Sequence, residues 1–210
     1  MFPLGMVLVP SGVLPLRVFE PRYQHMLEDL LPGNREFGVV LIERGSEVGG
    51  GEVRSRIGTM ARILEARESG DGHWAVVAMG LQRIMVERWL PDDPYPLAEV
   101  RPFPDRPGPG VGPPSFAALR DRLHCLLDGL VALGETVPSD RVEIADDPAL
   151  GSLQIAALAP LTPFDRQRIL EVDRVEDRCR LLGELLGEGQ ELVDLRRQAG
   201  EGGAAPGSPR

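Results

Sequence analysis

The chain has 210 residues, 42% of them hydrophobic and 26% charged, which is enough for one substantial core, or one core with a smaller satellite. It carries 23 arginines and no lysine, so a Walker A lysine reaching for nucleotide phosphates and a Ser-Lys catalytic dyad are both excluded within these residues. The net charge is −9, and residues 1–103 hold 11 arginines against 14 acids, which disfavours a phosphate-binding surface.

The rest of the chain is organised around its opening stretch. Phe2 to Pro10 and Val13 to Phe19 are apolar runs interrupted by proline, which removes ladder donors and suits sheet edges, bends and bulges. The spacing then predicts a helix over 20–31, with Pro21 at its first position and Tyr23, Met26, Leu27, Leu30 and Leu31 on one face. Pro32-Gly33 stops it. The first 16 residues carry no charged side chain, but three prolines and the lack of a basic leader region argue against a signal peptide. No window reaches membrane-spanning length, so the expectation is a cytoplasmic globular chain without a membrane partner.

Glu36 to Arg44 is a buried strand by its β-branched centre, followed by a loop over Gly45 to Arg56 containing Gly49-Gly50-Gly51. That loop is either a mobile rim that closes on a ligand or a tolerated surface insertion. Ile57 to Arg67 and His73 to Met79 flank Ser69-Gly70-Asp71-Gly72, whose Asp-Gly step is a strong hairpin signal. Gly80 to Leu90 alternates, with Ile84 and Val86 opposite Arg83, Met85 and Glu87, and Leu97 to Phe103 closes the set. About six strands and one early helix without βαβ alternation predict an α+β domain with a mainly antiparallel, partly closed sheet over residues 1–103.

Pro104 to Pro114, with five prolines and three glycines, is a semi-stiff linker. Residues 115–198 then read as a small helical bundle. Ser115 is placed to cap a helix with Phe116, Leu119, Leu123, Leu126, Leu127 and Leu130 in one stripe. A second helix covers Ala149 to Leu158, a third opens at Thr162-Pro163-Phe164-Asp165, and Asp173-Arg-Val-Glu176 suggests a capping box for a fourth with Val175, Cys179, Leu182 and Leu186 inward. These stripes either cover one another and the sheet or bind a partner helix. Residues 199–210 read as a disordered tail. Cys125 and Cys179, both in helical patterns, are expected as buried free thiols.

Phe2-Pro-Leu-Gly followed by Val13-Leu-Pro-Leu-Arg-Val-Phe-Glu-Pro-Arg-Tyr23 resembles the start of the Lon protease N-terminal domain family, the Lon substrate-binding domain. The likeness continues through Phe37 to Ile42, Ile57 to Ile63, Gly80 to Ile84, Ile155 to Leu158, Arg166 to Glu171 and Val175 to Cys179, spanning roughly Met1 to Val193. Family members usually carry a few more residues before the first strand, which predicts a short one here. The resemblance implies a PUA-like pseudo-barrel and a non-catalytic module that engages unfolded or hydrophobic segments of client proteins, or docks on a protease partner. It would be the recognition domain standing alone, lacking the ATPase and protease domains. PUA-like folds often bind RNA, which is the alternative reading, set against the acidity of the chain.

No catalytic constellation emerges, and the chain is expected not to be an enzyme. His25, His73 and His124 form no HxxxH, the cysteines form no CxxC, and no GxSxG elbow exists, so neither a metal nor another cofactor is expected. His124 and Cys125 are helix neighbours that point apart. The candidate peptide-binding residues are Phe19, Glu20, Arg22 and Tyr23 at the strand-to-helix junction. In one reading Glu20 and Arg22 address peptide polar groups while the two rings hold apolar side chains. In the other the rings are core, and the charged pair fixes the junction.

Overall fold

The computed structural model describes residues 1–44, 53–70, 72–137 and 143–202. Its spine is one long hairpin, β4 (Val53–Glu68) and β5 (Trp74–Leu90), turning at Gly72, whose φ of 79° is the left-handed conformation glycine adopts without strain. Asp71 and the triple-glycine loop lie outside the described residues. Around the hairpin stand β1 (Phe2–Leu4), β2 (Val13–Val18), β3 (Glu36–Arg44) and β6 (Leu97–Pro102), with helix α1 (Pro21–Leu30) between β2 and β3 in the chain. Among the described residues four more helices follow: α2 (Pro113–Ala132), α3 (Pro148–Leu158), α4 (Pro163–Glu171) and α5 (Val175–Gly202).

The sheet runs β1-β3-β4-β5-β2, with β6 also beside β5. The β1–β3 pair is parallel and the other pairs are antiparallel, giving an α+β fold. β5 serves two partners along one edge, β2 over Trp74–Met79 and β6 over Ile84–Leu90. The two strands expected on either side of Gly80 are therefore one. At the change of partner Ser11 donates to the Gly80 carbonyl and the Gly80 amide donates to Gly12, each at 2.9 Å. Register shifts in β3, β4 and β5 bend the ribbon, as bulges do.

Two apolar clusters result. One, inside the curved sheet, holds Leu14, Val18, Phe37, Ile63 and Val76 with Tyr23, Met26 and Leu27 of α1. The other lies between sheet and helices and joins the inward stripe of α2 to Ile155, Ile169, Leu182 and Leu186. The segment after β1 is not a strand, as the first apolar run suggested, yet it is buried, and its side chains alternate: Val7 and Val9 enter the second cluster while Leu8 enters the first. An extended backbone sends successive side chains to opposite sides, so this short run forms a wall shared by both cores.

Several boundaries differ from the sequence reading. β4 begins at Val53, so Val53–Arg56 belong to the strand and not to the loop. Gly112, not Ser115, caps α2, because Pro113 and Pro114 need no amide partners in the first turn. At α5 the first helical bond runs from Arg178 to the Arg174 carbonyl, and Asp173 pairs with Arg106 at 2.8 Å instead of capping. The helix extends to Gly202, taking in the first residues assigned to the tail. Cys179 is buried but Cys125 is exposed, since it falls off the inward stripe of α2.

The Met1 ammonium donates to the Pro96 carbonyl at 2.7 Å, linking the β1 edge to the approach of β6. Burial pulls this amine down from its usual value near 8 to about 6, aided by the charge of Arg54 and opposed by Asp92. Between those values the unfolded chain binds the proton that the folded chain gives up, so stability rises with pH. Thermal melts of the chain with a free Met1 amine should lose about 2 kcal/mol between pH 8 and pH 6, and amine acetylation should remove that dependence. A flat profile would rule out the buried amine.

Candidate functional site

The strand-to-helix junction is built by Pro21, which starts α1 directly after Glu20. Arg22 donates from Nε to the Glu20 carboxylate at 2.9 Å, and its guanidinium lies over the Tyr23 ring at 4.6 Å. Tyr23 is only 3% exposed and stacks on Phe2 with 4.0 Å between ring centres, because the face it occupies on α1 is the one turned to the core. Of the two readings, the buried Tyr23 ring fits the one in which it is core and supports the junction from beneath. Phe19 is 58% exposed and meets His73 edge-on at 6.3 Å. Gln24 donates to the Gly72 carbonyl at 2.7 Å, so the hairpin turn rests against the start of α1. The four candidates are thus together, with Phe19 outermost and the charged pair half-buried beside it.

A second electrostatic centre was not legible in the sequence. Arg83 of β5 donates to the carbonyls of Leu170 and Val172 and to Asp105, at 2.9, 2.5 and 2.5 Å. Arg178 of α5, fully buried, donates to both oxygens of Asp105, at 2.6 and 2.9 Å, and to Ser152 and the Ala149 carbonyl. One carboxylate in the proline-rich segment therefore bridges β5 and α5, and the two guanidiniums carry the link on to α3 and the end of α4. Burial by itself raises the Asp105 carboxyl, but hydrogen bonds and charge from Arg178 and Arg83 outweigh it and hold the carboxyl below its usual range. Arg83 leans the other way: burial, only partly offset by Asp105, pulls it down to about 10. The two trends agree physically, since one carboxylate is shared by two guanidiniums and offsets the burial of Arg83 only in part. The segment 104–114 is pinned at Asp105 and at Arg106, whose amide donates to the Asp173 carbonyl.

Among the described residues no group of three or more His, Cys, Asp or Glu is placed to hold a metal ion, and no helix is long and apolar enough to cross a membrane. What these elements define is an α+β domain in which a mixed sheet shares a core with the C-terminal helices and Phe19 stands exposed at the strand-to-helix junction. The chain belongs to the ATP-dependent protease La (LON) substrate-binding domain family, whose model matches residues 1–188. It is 27% identical over 90% of its length to the Lon protease of Anaeromyxobacter dehalogenans, and 28% identical over 91% to Lon protease 2 of Sorangium cellulosum. It spans about a quarter of the length of these curated relatives, 23% and 24%. The crystal structure of a Lon N-terminal domain protein from Xanthomonas campestris superimposes with a TM-score of 0.61 at 28% identity, covering 89% of this chain and 95% of that one. The N-terminal domain of the Mycobacterium avium complex Lon protease shares the fold, with a TM-score of 0.64 at 18% identity and coverage of 88% and 94%.

Proposed function

We propose that this chain is a cytoplasmic protein-recognition module that holds exposed apolar segments of unfolded clients, or of a protease partner, without catalysing a reaction itself. Its membership of the substrate-binding domain family carries this reading. The exposed Phe19 beside the Glu20–Arg22 pair supports it, offering an apolar contact on a rigid junction with its polar groups already matched. In this reading residues 1–103 and 115–198 are two lobes, the segment 104–114 joins them, and the Asp105 cluster keeps them in register. A contact of this kind gains from buried side chains and backbone bonds, so binding should be broad, weak and tolerant of salt.

The test is capture of a permanently unfolded, reduced and alkylated protein, measured by fluorescence anisotropy at low and high salt. The wild-type chain should bind it at both, and Phe19→Asp should weaken capture without changing the melting temperature. Single-stranded RNA in the same assay should bind no more tightly than roughly 10⁻⁴ M at physiological salt. Absence of capture, or a salt-sensitive submicromolar RNA complex, would sink the proposal.

A further inference from the structure

We infer a second polypeptide contact, in the groove between the end of β3 and helix α4, that takes an extended, uncharged, apolar segment of a client. It rests on the recognition reading above and names a site and a ligand form within it. The groove encloses about 590 Å³ between Leu41–Arg44 on one side and Thr162–Glu171 on the other.

Three observations point to a peptide as the occupant. β1 pairs with β3 only as far as Leu41, while Ile42 and Arg44 continue along β4, so the groove borders the stretch of β3 that β1 does not cover. An extended chain satisfies such a strand edge with alternating donors and acceptors. Gln167, 5% exposed, donates from Nε2 to the Ile57 carbonyl and to Glu171, at 3.1 and 2.8 Å, while its Oε1 is buried without a partner. Buried acceptors are nearly always paired, and the two Nε2 bonds hold the amide in place, which leaves this oxygen as a fixed acceptor for a backbone N–H laid in the groove. Phe164 stands at the rim, 71% exposed, on a helix start held by the reciprocal Thr162 and Asp165 bonds at 3.1 and 2.7 Å.

Charge selects among peptides. Arg44 and Arg168 line the groove against Glu43 and Glu171, in equal number. Glu43 already accepts from Ser55, Arg168 already donates to Asp165, and Glu171 already accepts from Gln167. With two charges of each sign the lining carries no net charge to draw in a charged ligand, whereas an apolar residue beside Phe164 gains from burial.

The groove and Phe19 lie at opposite ends of β4: Ile42 stands across from Arg54, whereas Val18 stands across from Trp74, which pairs with Glu68. Only a long unfolded stretch reaches both, which adds avidity for unfolded chains over short peptides.

The experiment places a benzophenone amino acid at position 164 and, as a control, at the exposed Val131 of α2, and irradiates each variant with the reduced, alkylated protein. Phe164→Asp is assayed in parallel for capture and for melting temperature. We expect cross-linking at 164 and not at 131, and capture weakened at least about tenfold at an unchanged melting temperature. Undiminished capture by Phe164→Asp, with no cross-link at 164, would overturn the groove and leave the recognition reading standing. No capture by the wild type would overturn both.

Discussion

Asp105→Ala should lower the unfolding free energy by about 3–5 kcal/mol, the cost typical of removing one partner from a buried charge cluster. The substitution leaves the guanidiniums of Arg83 and Arg178 buried without the carboxylate both use. Chemical denaturation with a two-state fit measures it. Because the carboxyl titrates lower in the folded protein than in the unfolded chain, its contribution is fully present above about pH 4 and is lost as pH falls through its folded value. The gap between wild type and Asp105→Asn should therefore close in acid. Replacing all three charged residues by apolar ones, which rescues some buried clusters, should fail here. The guanidiniums also serve the carbonyls of Ala149, Leu170 and Val172, which apolar side chains would leave without these partners. A loss below about 1 kcal/mol for Asp105→Ala would mean that the cluster does not hold β5 and α5 together.

Gly80→Ala should cost about 3 kcal/mol, at the upper end of overpacking effects. A Cβ there would lie well inside contact distance of the Val9 carbonyl oxygen, which is backbone and cannot rotate away. The same backbone is fixed by the bonds from Ser11 to Gly80 and from Gly80 to Gly12, so relief means breaking the seam between the N-terminal run and β5. Gly187→Ala is the matched control. Nothing lies within 4 Å of its added methyl in α5, and it should gain up to about 1 kcal/mol from helix propensity. Equal melting temperatures for the two variants would contradict the close approach.

These two positions also show how far local pattern carries. The stripes of α1 and α2, the hairpin turn at Gly72 and the cap at Thr162 are each fixed by residues within a few places of one another, so periodicity and capping chemistry predict them directly. The short first strand and the run containing Gly80 were readable through family resemblance. The reason Gly80 must be glycine was not, since the atom it meets belongs to Val9.

By itself the sequence determined the element types, the α+β class, the family and the grouping of Phe19, Glu20, Arg22 and Tyr23, because each depends on local spacing or on a contiguous motif. Tertiary structure alone decided which of those four faces outward, that β1 runs parallel to β3, and that Phe164 stands exposed above a groove. It also decided the burial of Arg83 and Arg178, residues whose type predicts exposure. Their partner Asp105 is 22 residues from one and 73 from the other in a segment with the composition of a linker, and only folding brings the three charges within hydrogen-bonding distance, where each makes the others tolerable in the interior.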